Sequence, residues 1–131
     1  MAQEHEKKAI LDTLQYFFDG LDNIDAGTIK TAFHPSAWQF YVSSDGLRAN
    51  PVSHWDRTCR AVAENPEHPF NKENSRKNVV YIDVTGNAAA AKVEWVFSRF
   101  MYTDYYTLMK MDGRWYIMNK IFHTTIFEDR S

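Results

Sequence analysis

Asp104-Tyr-Tyr-Thr-Leu-Met-Lys-Met-Asp-Gly-Arg-Trp-Tyr-Ile-Met-Asn-Lys-Ile-Phe-His123 reads as two long strands joined by one tight turn. Asp112-Gly113 supplies the positive φ angles of a two-residue turn, which sets Met111 opposite Arg114. Counting outward from that pair predicts Leu108 beside Ile117 and Tyr106 beside Asn119. Side chains alternate along a strand, so Trp115, Ile117, Asn119, Ile121 and His123 are expected on one face and Tyr116, Met118, Lys120 and Phe122 on the other. The face carrying Lys120 is assigned to solvent. A bulge in the hairpin would exchange the two faces.

The surrounding chain supports a single domain spanning residues 1–131, with 44% hydrophobic content to close its core. A net charge of -2 gives no field that would gather nucleic acid or anionic lipid, and neither partner is expected. The single cysteine, Cys59, excludes an internal disulfide, and its place beside Trp55 and Val62 suits a small buried hydrophobe. The start Met-Ala-Gln-Glu-His-Glu-Lys-Lys lacks a secretory signal, so a cytoplasmic protein is expected. No stretch has the ~20 apolar residues that cross a bilayer. The distinctive figure is 15% aromatic residues.

Ile10, Leu14, Phe17, Phe18 and Leu21 fall on one face of a helix over residues 4–21 that ends near Gly20. Asp25 is placed to cap a second helix with Ile29, Ala32 and Phe33 inside, stopped by Pro35. Residues 37–42 alternate Trp38, Phe40 and Val42 against Gln39 and Tyr41, and Asp45-Gly46 turns them into a short hairpin. A third helix opens at Pro51 and Ser53, carries Trp55, Cys59 and Val62, and ends near Asn65-Pro66. Residues 65–77 read as a mobile surface loop whose Lys72, Arg76 and Lys77 are solvated. Val79 to Thr85 predicts a strand, Gly86-Asn87 a turn, and Ala88 to Thr103 one long strand with Val93, Trp95 and Phe97 on one side.

This order is α+β: helices packed on one face of a strongly curved antiparallel sheet, a cone with an open mouth. Tyr16, Asp25, Phe33-His34-Pro35 and the Asp-Gly-Arg-Trp turn resemble the nuclear transport factor 2-like (SnoaL-like) superfamily of cystatin-like cones. Asp104 to Leu108 and Trp115 to His123 are similar to the branch called putative lumazine-binding proteins. The resemblance covers nearly the whole chain and implies the fold, but not one activity. For ketosteroid isomerases it implies an enolate-stabilising tyrosine at the position of Tyr16. Their carboxylate base has no counterpart in Ala37 to Val42, which puts isomerase chemistry in doubt. For small polyketide cyclases it implies an aspartate and a histidine as acid and base, and Asp104 and His123 are candidates by type.

Each candidate also has a structural reading. His123 could hydrogen-bond a core neighbour, Asp104 could cap its strand, and the Tyr16 hydroxyl could reach a backbone carbonyl. Asn119 on an apolar face needs a partner, such as Tyr106, Tyr16 or a ligand. His34 at a helix end is read as structural. The histidines show no metal-site spacing, so neither metal nor cofactor is expected. The leading expectation is a pocket for a flat, mostly apolar, aromatic or polycyclic ligand, lined by Tyr16, Trp38, Trp55, Trp95, Tyr106, Trp115, Asn119 and His123, with cyclase- or dehydratase-type acid–base activity. The alternative is a non-catalytic homodimeric interaction module. It would pair through the sheet face that carries Tyr105, Met109, Tyr116, Met118 and Phe122.

Overall fold

The computed structural model describes residues 2–72 and 74–127. Helix α1 (Ala2–Asp22) buries Ile10, Leu14, Phe17, Phe18 and Leu21, the stripe its periodicity predicts. Helix α2 (Ala26–Ala32) starts at Asp25, whose carboxylate accepts from the Thr28 amide at 3.2 Å, as its capping role requires. Gly20 lies inside α1 because α2 crosses there: a Cβ at this position would meet Ile29 Cγ1 at 2.5 Å.

Pro35 does not end α2, which stops at Ala32; it lies inside strand β1 (Phe33–Ser43). The chain then forms β2 (Gly46–Pro51), α3 (His54–Ala63) with Trp55, Cys59 and Val62 buried, and the single turn α4 (Pro69–Lys72). Strands β3 (Arg76–Thr85), β4 (Ala88–Val96), β5 (Phe100–Met111) and β6 (Arg114–Ile126) follow. The long strand expected over Ala88 to Thr103 is therefore two strands. The Phe97 amide donates to the Phe100 carbonyl at 2.9 Å, and the Phe97 and Phe100 rings stack at 4.6 Å, which folds the chain back at Ser98-Arg99.

The six strands form one curved sheet in the order β2-β1-β6-β5-β4-β3, with the N-terminal helices packed on its inner face. The architecture is the expected α+β cone, but the sheet is mixed. β1 arrives from α2 rather than from a neighbouring strand and runs parallel to β6; the other pairs are antiparallel.

The β5–β6 turn is as read: Asp112 and Gly113 have φ of 52° and 79°, Met111 pairs with Arg114 and Leu108 with Ile117. Beyond Ile117 the register shifts. Thr107 pairs with Asn119, leaving Met118 as an extra residue, and Tyr106 then pairs with Lys120 rather than with Asn119. One extra residue changes the parity of every later position. Trp115 and Ile117 point inward as expected, but beyond the bulge Lys120 is buried while Ile121 and His123 are exposed. The assignment of Lys120 to solvent is thus reversed. β1 follows through its pairing of Gln39 with Lys120: Ala37 and Gln39 are buried, and Trp38 and Val42 are exposed.

Candidate functional site

Before the bulge, the inner face of β6 is apolar and fully packed. Trp115 and Ile117 meet Leu108, Leu14 and Ile10 in the core. The Trp115 carbonyl accepts from Thr13 Oγ1 at 3.1 Å, which ties α1 to the sheet.

Past the bulge, the inner face holds a cavity of about 180 Å³. Its base is built by neighbouring strands: β6 supplies Lys120, β5 Asp104 and β1 Gln39, all buried. Its walls are aromatic, with Trp55 from α3, Trp95 from β4, and Tyr102 and Phe122 from β5 and β6. Phe70 closes one side. The segment 65–77 is thus more than a surface loop, because α4 lays the Phe70 ring flat on Trp95 at a centroid distance of 5.0 Å. The Trp95 indole donates to Ser75 Oγ in the same segment. His54 and His68 stand among the remaining lining residues.

Asp104 and Lys120 dominate the electrostatics. Asp104 Oδ2 accepts from the Tyr106 hydroxyl at 2.8 Å and lies 4.0 Å from Lys120 Nζ, while Oδ1 is buried with no hydrogen-bond partner among the described residues. Lys120 Nζ reaches Gln39 Oε1 at 3.5 Å and otherwise lies against rings, 4.4 Å from the centroid of Phe122, 5.3 Å from Phe17 and 5.5 Å from Trp55.

Burial pushes the Asp104 carboxyl above its ordinary range, against the pull of Lys120 and of the Tyr106 hydroxyl. Burial likewise pulls Lys120 down, with Asp104 opposing. At 4.0 Å the two groups are too far apart to offset their loss of water fully, so each moves toward its neutral form. The Tyr106 phenol is held well above its usual range by burial and by Asp104, which keeps it a hydrogen-bond donor. Burial, then Asp104 and Tyr41, also raises Tyr102. Burial lowers His68, and with help from Arg57 it lowers His54.

A carboxyl raised above its ordinary range, next to an amine lowered below its own, suits proton transfer to and from a bound group. Oδ1, without a partner among the described residues, offers an acceptor where a proton could arrive.

Of the residues expected to form the site, Trp55, Trp95 and Asp104 line the cavity. Tyr106 stands behind it and reaches it through Asp104, and Trp115 lies in the packed half. Tyr16 and Trp38 are about half exposed, 52% and 44%, and do not line it. Asn119, at the bulge, faces away. His123 opens onto a shallow groove on the outer face beside Tyr105 and Ile121, so of the two acid–base candidates Asp104 lies in the cavity, 4.0 Å from Lys120, and His123 does not. His34 has a structural role: its Nδ1 accepts from the Ser36 amide at 3.0 Å. Cys59 is buried, and burial raises its thiol pKa.

The residues missed include Lys120, Gln39, Tyr102, Phe122 and Phe70. Alternating Gln39 and Tyr41 on β1 held the signal for the true inner face, but the larger apolar set opposite it drew the assignment.

Residues 5–123 match the model of a family described as putative lumazine-binding. Aldolase FrzH from Cladobotryum sp. is 23% identical over 119 residues, covering 91% of each chain. Among solved structures, an NTF2-like protein of unknown function from Shewanella baltica OS155 is 26% identical, with a TM-score of 0.76 over 92% of this chain and 94% of that one. An NTF2-like protein of unknown function from Silicibacter pomeroyi DSS-3 superposes with a TM-score of 0.79 at 17% identity, over 95% of this chain and 100% of its own.

Proposed function

The chain belongs to the putative lumazine-binding family, and from that premise we propose that the cone binds one flat ring of a small carbonyl compound and exchanges protons with it through Asp104. The observation that carries this reading is the buried Asp104 carboxyl on the cavity wall, with Oδ1 unpartnered among the described residues and Lys120 4.0 Å from Oδ2. Leaving such an atom unsatisfied costs roughly 1–3 kcal/mol, which a ligand group donating to it would recover.

Size narrows the ligand. A dry cavity of roughly 150 Å³ takes one benzene ring, so about 180 Å³ suits a single ring, with any second ring at the mouth. Trp55, Trp95 and Phe70 would stack on it. In this role Asp104 takes a proton from carbon next to the carbonyl, and the Lys120 amine and the Tyr102 hydroxyl face the oxygen where charge develops. Tyr106 steadies Asp104 through Oδ2. Carbonyl chemistry is also what the name of the aldolase relative describes.

The test is thermal unfolding with a panel of lumazine, flavins, monocyclic aromatic ketones, indanone and larger polyketides, followed by NMR of α-hydrogen exchange into deuterated water. A ligand at a hundred times its Kd should stabilise the fold by ~2.7 kcal/mol. Exchange should be catalysed by the wild type and lost in Asp104→Asn. No stabilisation and no exchange across the panel would overturn the reading.

A second reading concerns the outer face. Val42, Leu47 and Ile121 are exposed there, and Trp38, Tyr105 and Met109 are partly so, a set of apolar side chains that a partner surface could cover. We propose that a second copy of the chain covers it, with or without activity in the cone. This patch differs from the expected one, since Phe122 turns inward past the bulge. Sedimentation at micromolar concentration should give a dimer that Val42→Glu with Ile121→Lys dissociates; a monomeric wild type would end this reading.

A further inference from the structure

Acid–base work by Asp104 leaves the Lys120 amine underused, and its surroundings are unusual for a simple counter-ion. A lysine that serves to neutralise a carboxylate normally touches it. Lys120 Nζ instead stands off at 4.0 Å, and among the described residues its hydrogen-bond acceptor is Gln39 Oε1, at the outer limit of 3.5 Å. The rest of its environment is the faces of Phe122, Phe17 and Trp55. Ring faces attract an ammonium but accept few of its three N–H donors as hydrogen bonds, so this shell replaces little of the lost water and burial moves the amine toward its neutral form. The amine also lines the cavity, where a ligand carbonyl would lie.

We propose that Lys120 is a nucleophile whose ε-amine captures an aldehyde or ketone as a Schiff base. This deepens the carbonyl reading of the cavity and rests on it for the site. The neutral amine's lone pair attacks the carbonyl carbon, and the C=O π pair moves to oxygen, which takes the proton of the Asp104 carboxyl. Asp104 carboxylate then receives a proton from the nitrogen and returns it to the hydroxyl, which leaves as water. The nitrogen lone pair closes the C=N bond. Amine, carbonyl and carboxylic acid have become a protonated Schiff base, water and a carboxylate. That carboxylate is placed to take the α-proton, the Schiff base receiving the electron pair as an enamine. A carboxyl 4.0 Å from the amine is within relay distance of both the nitrogen and the departing oxygen. Burial lowers the Lys120 pKa, which raises the fraction of reactive amine.

Benzaldehyde with sodium cyanoborohydride at neutral pH tests the proposal, because reduction freezes any Schiff base as a benzylamine. Peptide mapping should place one benzyl group per chain on Lys120, formed faster than on the surface lysines, as the lowered pKa of the buried amine implies. Lys120→Arg keeps the cation but cannot form the imine. It should unfold cooperatively, as the wild type does, and lose the fast label. Should that variant fail to fold, wild-type mapping alone decides, with Lys8 and Lys72 as internal controls. Labels spread over surface lysines with Lys120 unmodified would overturn the proposal. Exchange of ketone α-hydrogens through Asp104 without label on Lys120 would sink the Schiff base alone; absence of both would sink the carbonyl reading with it.

Discussion

The two halves of β6 run in one strand yet serve opposite purposes. From Arg114 to Ile117 the inner face is apolar, closed and tied to α1; from Asn119 onward it is polar, hollow and edged by rings. Met118 is the boundary, since the residue it adds turns Lys120 inward and Ile121 and His123 outward. The closed half holds the fold together, and the open half has given up packing for a buried Asp104–Lys120 pair. If that division holds, substitutions on either side of Met118 should fail in different ways.

The largest effect is expected in the closed half. Trp115→Ala empties a fully buried site and should cost about 4 kcal/mol of stability in chemical denaturation.

In the open half, Asp104→Leu strands the Lys120 amine without its counter-ion and should cost about 3 kcal/mol at neutral pH. The loss of Asp104 removes the interaction that raises the Lys120 pKa, so that pKa falls further below its ordinary 10.5. A group with a lowered folded pKa contributes stability that is present above its unfolded pKa and lost as pH falls through the folded one. The deficit of Asp104→Leu should therefore fade as pH rises toward 10.5. Adding Lys120→Met should restore stability to within about 1 kcal/mol of the wild type while ligand stabilisation stays lost. A double variant as unstable as the single one would show that the pair serves the fold, and the contrast between the halves would fail.

Phe70→Ala removes one cavity wall from a half-buried position. It should cost about 1 kcal/mol in the same denaturation experiment and weaken ligand stabilisation more than it weakens the fold.

The smallest effect is on pH dependence. Burial lowers the pKa of His54 and of His68 from the ordinary 6.5. Their neutral forms therefore stabilise the fold above 6.5, a contribution lost as pH falls through the lowered values. Replacing both by Asn should flatten the acid limb of stability just below 6.5 and leave the alkaline limb unchanged.

Much of the closed half was legible in the sequence, because each of its features has a local cause. The α1 stripe, the Asp25 cap, the Asp112-Gly113 turn and the Leu108–Ile117 pair follow from spacing and backbone chemistry alone. The open half depends on relations the sequence does not mark. Met118 carries no glycine or proline to announce a bulge, and its one-residue offset exchanged His123 and Asn119 for Lys120 and Phe122. The parallel partnership of β1 with β6 then carried the same inversion to Trp38 and Gln39. Phe70 was lost for another reason: in a segment of prolines and charges, one aromatic docks on Trp95 only because the sheet curves to meet it.

The most direct test of the account is a pH titration of the lysine 13Cε resonances by NMR, with Lys120→Met supplying the assignment. The account expects one resonance, absent in the variant, to titrate below the surface lysines and to shift further down in Asp104→Asn. A Lys120 resonance that titrates with the surface lysines and ignores Asp104 would place the side chain in solvent, and the division of β6 at Met118 would be wrong.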